Sequence, residues 1–148
     1  MHRTLDIAIT LHDELPADEA GLVDSGLGDA NEAAAPLHGV RALSAFARLP
    51  SGAVVGGAVG RTWGECCELQ QLWVDPMRRR QGIGARLVRE FERRAQARGC
   101  CTFYLETFSF QAPSLYRSLG YRVVHELRGF APGIAKYMMV RELGSSAT

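Results

Sequence analysis

Apolar and polar positions alternate along residues 6–10, and apolar-rich runs at 41–48 and 53–60 flank Leu49-Pro50-Ser51-Gly52, a turn sequence that predicts an antiparallel hairpin. A further strand is expected over 65–74, which makes three successive strands a meander. Gly56, Gly57 and Gly60 weaken the middle strand and mark bulges. The period then changes. Ile83, Leu87, Val88, Phe91 and Ala95 recur at helical spacing, and Gly99 follows as a C-terminal stop. Another strand is expected at 101–108, reached by a crossover and therefore running parallel to the strand ending at Val74. A short helix over 111–119, stopped by Gly120, and a closing strand pair at 121–127 and 136–143 complete the pattern. Residues 15–40 mix Asp, Gly, Ala and Pro and predict short helices broken by loops; residues 144–148 read as a frayed tail.

This order of elements gives an α+β or mixed α/β fold with one central sheet. At 148 residues the chain fits one domain, and 47% apolar with 22% charged residues is an ordinary globular composition. A formal charge of +1 supplies no field for gathering nucleic acid or an anionic membrane. No stretch approaches the roughly 20 apolar residues that span a bilayer, and Asp6 interrupts the N-terminus early, which points to a cytosolic chain. Four cysteines form two adjacent pairs, Cys66-Cys67 and Cys100-Cys101, without zinc spacing, and read as reduced packing residues. His2, His12, His38 and His125 form no pair at metal spacing, so no metal is expected.

Candidate chemistry concentrates between residues 69 and 99. An apolar strand over 69–74 leads through Asp75-Pro76-Met77 into Arg78-Arg79-Arg80-Gln81-Gly82-Ile83-Gly84, and a helix opens there. The first turn of a helix has N–H groups without internal partners, and its dipole favours an anion. Gly82 and Gly84 let a diphosphate approach the main chain, with arginine charge at the rim. A third glycine of a dinucleotide fold and a Gly-Lys-Ser/Thr sequence are both missing. Residues 75–98 hold eight arginines against Asp75, Glu90 and Glu92, an excess of five positive charges in a nearly neutral chain. Much of that excess is a solvated helix face; the cluster at 78–80 is not so easily absorbed.

The pattern Arg79-x-x-Gly82-x-Gly84 after Leu72-Trp73-Val74-Asp75-Pro76 resembles the acetyl-CoA motif of the GCN5-related N-acetyltransferase (GNAT) family. The segment from Gln111 to Tyr121 resembles that family's second signature, a helix with an aromatic pair before a Leu-Gly-aromatic end. The resemblance covers residues 40–143. It implies a mostly antiparallel sheet in which one parallel strand pair splays at a bulge, with the pantetheine arm in the gap on main-chain groups of Leu72, Trp73 and Val74. It also implies that the diphosphate lies on Arg80, Gln81, Gly82, Ile83, Gly84 and Ala85, with Arg79 first in the motif. Gln111, or Ser109, matches a polar residue that touches the cofactor. Tyr116 matches the general acid, and Glu68, four residues before Leu72, matches the catalytic glutamate of histone-acetylating relatives. The implied activity is acetyl transfer from acetyl-CoA to a primary amine; a non-catalytic acyl-CoA sensor of the same fold is the alternative. The acceptor pocket falls to residues 15–40 and 127–136, and the acids of the former hint at cationic amines. A homodimer is compatible with an apolar sheet edge.

Overall fold

The computed structural model describes residues 6–35 and 37–144, which divide into two compact units, Met1–Leu37 and His38–Thr148. The tail beyond Gly144 lies outside the described residues. In the first unit Ala17–Ala34 forms one helix, α1, where short broken helices were expected. Gly21, Gly26 and Gly28 each weaken a helix interior by about 1 kcal/mol relative to Ala. They are isolated from one another, and Asp18 and Glu19 occupy the first turn, where the dipole favours acids. Residues 6–10, expected as a strand, form none. Alternation alone is insufficient, because an extended segment needs a neighbour to close its backbone hydrogen bonds, and no described strand pairs with this one.

The second unit is built on six strands: β1 (Arg41–Arg48), β2 (Val54–Trp63), β3 (Cys66–Val74), β4 (Thr102–Phe108), β5 (Arg122–Arg128) and β6 (Ala135–Glu142). Their order in the sheet is β1-β2-β3-β4-β6-β5, and only β3 and β4 run parallel. The helix α2 (Ile83–Ala97) makes that parallel step by crossing one face of the sheet. Its apolar stripe of Leu87, Val88, Phe91 and Ala95 packs with Ala58, Cys67, Leu69, Phe103, Leu105 and Met139 to form the core. Gly99, at φ 96°, ends the helix: its N–H reaches Gln96 O (2.9 Å) and Cys100 N–H reaches Ala95 O (3.0 Å). A second, short helix, α3 (Pro113–Ser118), follows β4 and stops before Gly120 at φ 97°.

One acid sits inside this core. Glu92, 4% exposed on α2, accepts from Tyr121 Oη (2.9 Å) and an Arg141 guanidinium nitrogen (3.0 Å). Both partners are needed, since a buried carboxylate without them bears its full desolvation penalty. The cysteines are free: Cys67 and Cys100 are buried, and burial pushes the Cys67 thiol up to about 12, so it packs as a small apolar group.

The feature that opens the sheet is a bulge. Val59 faces Gln71 while Gly60 faces Leu69, which leaves Gln70 as an extra residue on β3. Gly60 is obligatory here, because a Cβ would overlap the Glu68 carbonyl oxygen and come within 2.9 Å of the Phe91 ring. Gly60→Ala is expected to lower the unfolding free energy by about 3 kcal/mol, as overpacking against backbone does. Gly64→Ala, at φ 58° with open space around it, should cost only about 1 kcal/mol. Urea denaturation of the two variants checks the difference; equal losses would remove the bulge argument.

Candidate functional site

Beyond the bulge, β3 and β4 part. Their pairing ends at Glu68↔Tyr104, although β3 continues to Val74 and β4 to Phe108. Two clefts occupy the opening. One, of 430 Å³, lies between residues 69–73 of β3 and Glu106, Thr107, Gln111, Ala112 and Tyr116. The other, of 620 Å³, runs from Leu72, Trp73 and Val74 to the start of α2, and Phe110, Gln111, Ala112 and Leu115 close its far side. Leu72, Trp73, Gln111 and Ala112 line both, so one continuous path joins the helix start to Tyr116.

The helix start is shaped by its entry loop. Asp75 accepts from Met77 N–H (3.0 Å) and fixes a 3-10 turn at Pro76–Arg78. Arg80 (φ 66°) and Gly82 (φ 75°) then turn the chain through left-handed conformations into α2. Arg86 N–H makes the first helical bond, to Gly82 O at 3.1 Å. The N–H groups of Ile83, Gly84 and Ala85 have no backbone acceptor among the described residues and face the cleft end of a 15-residue dipole. At Gly84 a Cβ would meet Leu115 Cδ2 at 3.4 Å and Val74 Cγ2 at 3.7 Å, so glycine keeps this wall thin. Arg78, Arg79 and Arg80 line the same cleft, and Arg79 Nε donates to Val74 O at 3.4 Å. Free N–H groups, a thin glycine wall and three guanidinium groups fit a diphosphate.

Residues 13–121 match the family model described as the acetyltransferase (GNAT) family. The chain belongs to the GNAT family. It is 38% identical over 93 residues to the blasticidin-S acetyltransferase of Streptomyces morookaense, spanning 62% of this chain and 68% of that protein. Among solved structures it resembles an acetyltransferase from Bacillus cereus ATCC 14579, with TM-score 0.76, 24% identity, and 90% and 98% of the two chains covered. It also resembles an aminoglycoside 6'-N-acetyltransferase complexed with coenzyme A, with TM-score 0.61, 22% identity, and 68% and 72% covered. The protein is thus an N-acetyltransferase of the GNAT fold, a fold that binds acetyl-CoA or CoA.

Within this GNAT site, most residues named from sequence line the path: Leu72, Trp73, Val74, Arg79, Arg80, Gly82, Ile83, Gly84, Ala85 and Gln111. Gln81 is exposed and does not line it. Gln111 has a second task, since its Oε1 accepts from Phe108 N–H (2.7 Å) and Thr107 Oγ1 (3.3 Å), holding the exit of β4 and leaving only its amide nitrogen to donate. Ser109 is committed elsewhere: its Oγ accepts from Ala135 N–H at 3.0 Å.

Tyr116, on α3, is 7% exposed, and its ring packs edge-on against Tyr121 with centroids 5.9 Å apart. Among the described residues its hydroxyl has no hydrogen-bond partner, and no buried side-chain oxygen is left unsatisfied, so that hydroxyl reaches the cleft rather than being sealed in protein. Burial pushes the phenol up to about 12. Glu68 forms an ion pair with Arg61 (2.9 Å) and lines an adjoining cleft rather than the one holding Tyr116. The acid that does share the Tyr116 cleft is Glu106, which no sequence motif marks. Its alternation in β4, exposed between buried Leu105 and Thr107, looks like an ordinary solvated strand position. Among the described residues there is no cluster able to hold a metal ion, and no helix long and apolar enough to cross a membrane.

Proposed function

We propose that the protein moves the acetyl group of acetyl-CoA directly to a primary amine of a small molecule bound in the same complex. The diphosphate lies on the free N–H groups of Ile83, Gly84 and Ala85, and the pantetheine arm follows Leu72, Trp73 and Val74 toward Tyr116. The observation that carries this reading is the Tyr116 hydroxyl, without a partner among the described residues and opening into the cleft that Glu106 also lines. A phenol held well above neutral pH stays protonated and donates to the departing thiolate. Glu106, which lines the same cleft as Tyr116, takes the proton of the attacking amine, and Glu68, held by Arg61, is the second candidate.

Glu106→Gln is expected to lower kcat/KM by about 100-fold, in the range of a lost general base, with Glu68→Gln changing it by only a few-fold. The opposite ranking would give the base to Glu68. The name of the Streptomyces morookaense relative makes blasticidin S the first acceptor to test. Thiol release from acetyl-CoA across blasticidin S, polyamines, aminoglycosides and short peptides tests the reading. Turnover confined to the small molecules supports it, and turnover confined to peptides would overturn the acceptor class.

A further inference from the structure

Of the 17 basic residues formed by Lys and Arg, 16 are arginine and one, Lys136, is lysine. A guanidinium stays protonated at any ordinary pH and cannot accept an acetyl group this way, so the arginines are inert to the protein's own chemistry. The single side-chain amine stands in the cleft adjoining that of Tyr116. Ala135 exchanges two hydrogen bonds with Ser109, N–H to Oγ at 3.0 Å and carbonyl from N–H at 2.8 Å, which fixes Lys136 opposite Phe108 in the β4–β6 register. From there Nζ reaches Glu106 Oε2 at 2.8 Å and lies 5.6 Å from the Phe108 ring centroid. Glu106, Thr107 and Gln111 line both the Tyr116 cleft and the one that Lys136 lines, so the two adjoin through the carboxylate that holds the ammonium.

We propose that Lys136 is a self-acetylation site, modified when acetyl-CoA is bound and no acceptor competes for Glu106. This rests on the transfer reading above. Lys136 gives up two protons: one passes through Glu106 to water and frees the nitrogen lone pair, and the other ends on the CoA thiol by way of Tyr116. The Nζ–carbon bond forms as the carbon–sulfur bond breaks, giving the Lys136 acetamide and free CoA. Acetylation removes the charge of Lys136, so Glu106 loses its internal partner and is left free for a cationic acceptor.

The test is to incubate the full chain with acetyl-CoA alone, follow intact mass and map the modified peptide, with thiol release on the amine panel as a parallel arm. The expected result is one acetyl group on Lys136, at least tenfold slower in Tyr116→Phe and absent in Lys136→Arg. Turnover of an amine in the parallel arm, with Lys136 left unmodified by acetyl-CoA alone, would overturn this proposal and leave the transfer reading standing. Equal labelling of the native, Tyr116→Phe and urea-unfolded chains would also overturn it, since the reaction would then be uncatalysed. Neither thiol release nor labelling would overturn both.

Discussion

Replacing Tyr116 by Phe is expected to lower kcat by about 100-fold to 10,000-fold, the span associated with loss of a positioned general acid, while the affinity for acetyl-CoA stays within a few-fold of the native value. The ring remains to pack on Tyr121, and only the oxygen facing the cleft is lost, so the fold has little reason to change. The pH profile gives a second, independent check. Burial holds the Tyr116 phenol at about 12, so the acid is in its working form below that value and is lost only as pH rises through it. Native kcat/KM should therefore climb as the acceptor amine loses its proton and show no alkaline fall below a pH of about 11. A kcat unchanged in the Phe variant, measured by thiol release, removes Tyr116 from the chemistry.

The second large effect is expected at Gly82, where the chain turns into α2 at φ 75° and a new side chain meets nothing within 4 Å. Asn and Asp enter such a position at a similar cost, about 1 kcal/mol, and differ in charge alone. For the native chain, CoA at 100 times its Kd adds about 2.7 kcal/mol of stability, a rise in Tm of about 5–10 °C at this chain length. Gly82→Asn should keep most of that rise. Gly82→Asp places a carboxylate where the diphosphate belongs and should abolish it, although an acid at a helix start does not harm the free protein. Equal ligand-induced shifts in the two variants would show that the diphosphate is held somewhere else.

The strand, glycine turn and helix start that shape the candidate cradle were readable from sequence because they form a local backbone pattern, with helical spacing from Ile83 onward written in consecutive residues. The parallel pairing of β3 and β4 followed from the crossover helix between them. Elements whose state depends on distant partners were not readable in the same way. Residues 6–10 alternate correctly but find no strand to bond among the described residues, and the glycines of α1 fail to break it because each penalty is small and spread over 18 residues. In the site, Gln111 is the candidate from sequence with Ser109 as its alternative, and the hydrogen bonds of the β4 exit tie Ser109 to Ala135 while Gln111 lines the cleft. Glu106 and Glu68 are both strand acids, and only the splay after Glu68↔Tyr104 places one of them in the cleft that Tyr116 lines.

All of this depends on three amides at the start of α2. Amide NMR spectra of the uniformly ¹⁵N-labelled protein, recorded with CoA and then with pantetheine, which lacks the diphosphate, report on them individually. The Ile83, Gly84 and Ala85 resonances are expected to shift strongly with CoA and hardly at all with pantetheine. CoA binding that leaves those three resonances in place while moving others would contradict the account.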